Sequence, residues 1–282
     1  MKNLIYQVWA GELRPGCNYS QKLFKKYAKN INADYRLDID PNIASKICDV
    51  PMYFEWLNPI LDDSFLEYDN VLVVDMDVFP VAGLKQNIFE EFTKDRIYDC
   101  GICTEPFQGK YRASFTIGGH INMANDEKWN SAVKKKWQID MPRDSDNYLK
   151  VYNAGMVMFS KNGLMRARDK FPGFQVYIDY MRTKGIGRFY TVDQNYFHAM
   201  MVRYLDYLEM DNGWNSYIHY TRGPLGLTEP IYNSKTKDTK FVHIQLSGAD
   251  YFSNDQIHKI VNYSQSKWDL EGSVVAHEGL SI

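Results

Sequence analysis

The chain has 282 residues, 45% of them hydrophobic and 24% charged, with a net charge of −2 at pH 7. That length can bury a large core, while the near-neutral balance argues against a nucleic-acid binder, which needs a strong positive field. No apolar stretch approaches the roughly 20 residues that cross a bilayer, and four Cys make no disulfide framework in a chain this long. With no signal-peptide core at the N-terminus, a cytoplasmic protein without a transmembrane segment is expected.

Residues 3–9 (Asn-Leu-Ile-Tyr-Gln-Val-Trp) read as a first strand, residues 11–16 as a loop carrying Pro15, and residues 19–30 as a helix. Leu23, Phe24, Tyr27, Ala28 and Ile31 recur there at helical spacing. A second strand over 33–37 completes a β-α-β opening, which predicts a parallel α/β sheet wound in the right-handed sense. Ligands of such sheets bind beyond the carboxyl ends of the strands, so the loop after the first strand would form the nucleotide side of a crevice. The chain has no Gly-x-Gly-x-x-Gly and no Gly-x-x-x-x-Gly-Lys, which argues against a dinucleotide-binding dehydrogenase and a P-loop enzyme. Asp38-Ile39-Asp40, followed by Pro41, reads as a turn with solvated acids.

An apolar-rich helix is expected over 51–66, with Tyr53, Phe54, Trp56, Leu57, Ile60 and Leu61. Val71-Leu72-Val73-Val74 then reads as a strand buried on both faces, and it ends in Asp75-Met76-Asp77. Two carboxylates one residue apart at a crevice repel each other unless a cation lies between them, and a divalent cation there would in turn hold a phosphate.

A helix over 86–92 and a strand over 97–104 follow. Cys100 and Cys103 have redox spacing but lie inside that strand, which argues against a redox role. Residues 105–122 lack periodicity and read as loop. A helix over 125–137 places Lys134-Lys135-Lys136 on a solvated face, and 140–147 form a charged loop. The strand expected over 151–159 contains Asn153-Ala154-Gly155, and a glycine inside a strand marks a bulge or a close approach. Helices follow over 163–169 and 175–183. Another opens at Thr191-Val192-Asp193-Gln194, with Thr191 or Asp193 as its cap. A strand over 205–210, a turn over 211–215, a strand over 240–246 carrying His243, and a helix over 254–263 complete the chain. The 21 Tyr and 6 Trp are enough both to build a core and to line a site that stacks flat ligands.

Taken in order, these pieces resemble a GT-A-fold glycosyltransferase, and specifically glycosyltransferase family 8, which includes glycogenin and bacterial lipopolysaccharide galactosyltransferases. The resemblance rests on Tyr68-Asp69 ahead of Asp75-Met76-Asp77, then Tyr152-Asn153-Ala154-Gly155, Asp193-Gln194, Leu208 with Trp214-Asn215, and His243 followed by Gly248. It covers residues 1 to about 250. It implies a single α/β domain over 1–282 with a Rossmann-like, mostly parallel central sheet flanked by helices. Residues 1–104 would be the nucleotide half and 105–282 the donor-sugar and acceptor half.

The resemblance further implies an enzyme moving a hexose or pentose from a nucleotide sugar, UDP-linked, to a glycan or other hydroxyl acceptor. Asp75, Asp77 and His243 would hold Mn²⁺ (or Mg²⁺), a mixed carboxylate and imidazole set favouring manganese. Without the resemblance His243 would read as a core histidine. Tyr6, Gln7, Val8, Asp75 and Met76 would contact the nucleotide. Asn153, Ala154, Gly155 and Asp193 would contact the donor sugar, and Asp193 and Gln194 would be catalytic. The chain departs from the family at two points. The helix before Asp75 carries Glu55 and Trp56 with no Lys or Arg between Lys46 and Lys85, and no Lys closely follows Gly248.

Two other readings compete. A haloacid-dehalogenase-like, Mg²⁺-dependent phosphatase would use Asp75 as nucleophile and Gly248-Ala249-Asp250 with Asp255 as its acidic loop. That reading puts the Asp-x-Asp unusually late and leaves Asn153, Asp193 and His243 unexplained. A non-catalytic nucleotide-sugar-binding protein of the same fold has no leaving group for a metal to assist.

Overall fold

A computed structural model describes residues 1–117, 120–223, 226–245 and 253–262. The strands are β1 (Asn3–Trp9), β2 (Asp34–Ile39), β3 (Asn70–Val74), β4 (Val78–Pro80), β5 (Cys100–Thr104), β6 (Tyr152–Ser160), β7 (Tyr207–Glu209), β8 (Ser216–Gly223), β9 (Gly226–Asn233) and β10 (Phe241–Gln245). The α-helices are α1 (Pro15–Asn30), α2 (Pro51–Phe54), α3 (Asn58–Leu61), α4 (Ile88–Phe92), α5 (Gln108–Ser114), α6 (Met123–Trp137), α7 (Lys161–Lys170), α8 (Phe174–Thr183), α9 (Asp193–Tyr204) and α10 (Asn254–Asn262).

Six strands form a central sheet in the order β2-β1-β3-β6-β5-β7. β1 pairs in parallel with β2 and β3, and β5 in parallel with β7. β6 alone runs against both of its neighbours. The sheet is mostly parallel, as expected, and it is covered on both faces. Val71 and Val73 join one apolar cluster with Phe54, Leu57, Phe159 and Phe197, while Leu72 and Val74 join the other with Phe24, Ile88 and Phe89. Every residue of β3 is buried. A strand between two apolar layers needs an unbroken apolar run, which is why its signal in the sequence is strong.

A second sheet, β4-β10-β8-β9, was not expected. Its first strand is only three residues long and follows the Asp-x-Asp directly, pairing antiparallel with β10 through Val78 and His243. Ile244 N donates to the Asp77 carbonyl at 3.0 Å, so the Asp-x-Asp turn and the His243 strand are bonded backbone to backbone.

Other differences have local causes. α1 begins at Pro15, which occupies the first turn where a missing N–H costs nothing. The single helix expected over 51–66 is broken into α2 and α3 by the 3-10 turn Glu55–Leu57, and α3 restarts with Pro59 in its first turn, where a missing N–H costs nothing; a second 3-10 turn, Asp63–Glu67, follows. β2 extends through Asp38, whose carboxylate accepts from Arg36 at 2.7 and 2.9 Å; only Asp40 sits in a turn, at φ 49°. Residues 108–114 are the helix α5 rather than loop. Neither Thr191 nor Asp193 caps α9: Val192 is the cap residue, and the Thr191 hydroxyl donates to the Arg188 carbonyl. Gly248 and Asp250, on which the last family motif and the phosphatase reading lean, lie outside the described residues.

Candidate active site

At the carboxyl ends of β1 and β3 the sheet opens into a cleft of about 480 Å³, within the range of small-molecule sites. Val8, Trp9 and Ala10 form one side, with Arg14 and Cys17 at the start of α1. Met52, Tyr53, Glu55 and Trp56 form another, and Asp75, Met76, Asp77 and Asp193 complete it. From β1 the chain passes to β2 on one side and then to β3 on the other, and the crevice lies at that switch point, as in other open α/β sheets.

Asp75 and Asp77 line this cleft, and His243, buried and distant along the chain, comes against them from β10. One ligand atom from each lies within 4.8 Å of the others, and this is the one such cluster among the described residues. His243 Nε2 stands 3.3 Å from Asp77 Oδ1. Burial raises the Asp75 carboxyl to about 7, with the Asp77 charge adding to the rise and His243 opposing it. Burial alone would lower the His243 imidazole, but Asp77, Asp75 and Glu105 outweigh it and raise it. Two carboxylates and an imidazole converging on one point form a donor set that fits a divalent cation, whose charge would relieve the repulsion between the acids.

Asp193, the first residue of α9, faces the same cleft. Trp56 Nε1 donates to its Oδ2 at 2.5 Å. Burial raises this carboxyl to about 6, against the lowering effect of the Trp56 hydrogen bond and of the backbone N–H groups at the helix start. In this stretch, which carries no Lys or Arg, an indole thus grips the acid. Neighbouring Glu55 turns inward and accepts from the Ile43 and Ala44 amides at 3.2 and 3.1 Å.

Several expected contacts fall elsewhere. Tyr6 is fully buried, its hydroxyl held by Asn58 and Asp38. Gln7 is fully buried too, accepting from Tyr35 and donating to Ser20 and to the Asp75 carbonyl at 3.2 Å. Both side chains therefore brace the cleft floor rather than line it, because inward-facing positions on β1 meet the two core layers; only Val8 of the three lines the cleft. Asn153, Ala154 and Gly155 are buried behind His243, away from the cleft lining. Gly155 leaves room for the His243 ring, since a Cβ there would overlap it, and so the close approach is to protein. Gln194 lines a separate small cavity with Arg112 and His198. Trp9, Arg14, Met52 and Tyr53 were not anticipated, and the apolar spacing over 51–66, where α2 ends after one turn, gave no means of finding the last two.

No protein-family model matches the chain, and no curated protein matches it. Among solved structures, mouse xyloside xylosyltransferase 1 in its apo form superposes with a TM-score of 0.51 at 12% identity, covering 88% of this chain and 99% of that one. The likeness is one of fold. A glycosyltransferase involved in glycosylation of the major capsid of PBCV-1 matches at 12% identity over 87% of this chain and 96% of that one, with a TM-score of 0.43. The chain thus shares the α/β fold of the xylosyltransferase structure, and its cleft lies at the carboxyl edge of the central sheet.

Proposed function

We propose that the protein is a metal-dependent glycosyltransferase of the GT-A type, taking a UDP-linked sugar as donor and a glycan or other hydroxyl as acceptor. The observation that carries the reading is the convergence of buried His243 on Asp75 and Asp77, the two acids that line the cleft, on a fold shared with a xylosyltransferase. Their motif order along the chain supports assignment near glycosyltransferase family 8.

Asp75, Asp77 and His243 would hold the cation, Mn²⁺ suiting the mixed oxygen and nitrogen set. Bound there, it would supply positive charge where negative charge develops on the departing diphosphate. Val8, Trp9 and Ala10 would flank the nucleotide, with Arg14 at the mouth of α1 as the cation nearest its phosphates among the described cleft residues. Asp193, held by Trp56, would face the donor sugar and hydrogen-bond its hydroxyls or stabilise positive charge at the anomeric carbon. Residues 1–104 would form the nucleotide half, and the remainder of a single domain would receive the acceptor.

The direct test is release of UDP from UDP-hexoses and UDP-pentoses with Mn²⁺ present. Asp77→Asn should abolish release while thermal unfolding stays cooperative. Release by the variant at the unaltered rate would contradict the reading.

A further inference from the structure

Behind His243 the side chains form a continuous hydrogen-bonded series, and its polarity can be derived from one end. The Gly155 backbone N–H can only donate, and it meets Asn153 Oδ1 at 2.8 Å. That orients the Asn153 carboxamide, whose Nδ2 then donates to Glu105 Oε1 at 2.6 Å. With Asn153 Oδ1 fixed as an acceptor, the Asn215 atom lying 2.9 Å from it has to be Nδ2. Asn215 Oδ1 is left facing His243 Nδ1 at 3.2 Å. A carboxamide oxygen only accepts, so Nδ1 carries a proton, and in the neutral ring Nε2 is then the bare nitrogen directed at Asp77.

We propose that Asn215 is a positioning residue for this site, backed by Asn153 and Glu105. Together they lock His243 in its Nδ1–H tautomer and aim Nε2 at the metal position. All four members are buried polar side chains with less than 6% exposure: Glu105 5%, Asn153 3%, Asn215 3% and His243 4%. They come from the position just after β5, from β6, from the 3-10 turn Asn212–Asn215 and from β10, so the series ties the central sheet to the second sheet. The orientation of a ligating imidazole is set by the bond its other nitrogen makes, and removing such a partner typically costs about 10–100-fold in metal affinity. The metal part of this inference rests on the proposed function; the tautomer does not.

The tautomer is measurable without metal. In ¹⁵N-histidine-labelled protein at alkaline pH, where the ring is neutral, long-range ¹H–¹⁵N correlations should place the His243 proton on Nδ1. A proton on Nε2 would overturn the proposal. Asn215→Asp keeps an oxygen to accept from Nδ1 and should keep the proton there, whereas Asn215→Leu should give mixed tautomers. Titration with Mn²⁺, followed by electron paramagnetic resonance, should show binding about 10–100-fold weaker in Asn215→Leu. Unchanged affinity in that variant would overturn the proposal. If Asn215→Leu does not fold, the unaltered protein and Asn215→Asp still decide the tautomer. Absence of Mn²⁺ binding by the unaltered protein would overturn the catalytic reading while leaving the tautomer measurement to decide the positioning.

Discussion

The His243 ring occupies the space that a side chain at Gly155 would need. A Cβ built at 155 overlaps the ring carbon Cε1 and lies 2.7 Å from Nδ1. The glycine of β6 and the histidine of β10 are thus complementary in shape, and one strand's missing side chain admits the other strand's metal-ligand candidate.

Gly155→Ala should therefore displace His243. Overpacking a filled interior costs about 1–3 kcal/mol, so urea denaturation should report a loss in that range. Mn²⁺ titration should show a larger defect than Asp-x-Asp geometry alone would give, because the imidazole leaves the set. An alanine variant with unchanged stability and unchanged Mn²⁺ affinity would refute this packing argument.

Trp56→Phe keeps the ring body against Phe197, 5.2 Å between centroids, but deletes the N–H that Asp193 accepts. That bond lowers a carboxyl which burial has raised to about 6, so its loss should raise the carboxyl further. If ionised Asp193 serves the reaction, activity falls as pH drops through about 6 in the unaltered enzyme. In Trp56→Phe the fall should begin at a higher pH. The acid limb of the kcat/KM profile is the measurement.

Asp193 should also cost stability. Its folded-state value, about 6, exceeds the ordinary 3.8. The native carboxyl therefore binds its proton more tightly than the unfolded chain does. Stability is lost as pH rises from about 4 to about 6, and the penalty persists above that window. Asp193→Asn should be more stable at neutral pH by on the order of 1–3 kcal/mol, with the gain vanishing below about pH 4. Such a gain, paired with lost turnover, is what a functional carboxylate in an unfavourable environment predicts.

Arg112 on α5 makes a buried ion pair with Asp126 at 3.0 Å, and Tyr190 donates to the same carboxylate oxygen at 2.9 Å. Removing one partner leaves an unpaired charge in the interior, so Arg112→Leu should destabilise the fold by about 3–5 kcal/mol. Equilibrium urea unfolding would register it.

The parts of this molecule readable in the sequence are those where one residue pattern has one physical solution. β3 is apolar from Val71 to Val74 because both of its faces are covered, and a carboxylate pair at its end has to lie at the sheet's edge. The hairpin β8–β9 was missed because residues 216–233 mix Tyr, His, Thr, Arg and Pro without steady alternation. α5 was missed because Gly109 and several polar residues hide a helix whose stability comes from Arg112 and its partners. Within the site, motif order brought Asp75, Asp77, Asp193 and His243 to the page. It did not reveal that Tyr6, Gln7 and Asn153 turn inward, since a strand's two faces are equivalent until the layers covering them are known. Nor did it link Trp56 with Asp193, a contact across 137 positions that no local pattern encodes.

The central claim is that the Asp75–Asp77–His243 cluster binds a nucleoside diphosphate through a divalent cation. Thermal unfolding with UDP, GDP or CMP, each with and without Mn²⁺, tests it most directly. A ligand at a hundredfold excess over its dissociation constant adds about 2.7 kcal/mol to apparent stability. Tm should rise with UDP only when Mn²⁺ is present, and the rise should disappear in Asp77→Asn. No shift with any nucleotide, or an equal shift in Asp77→Asn, would contradict it.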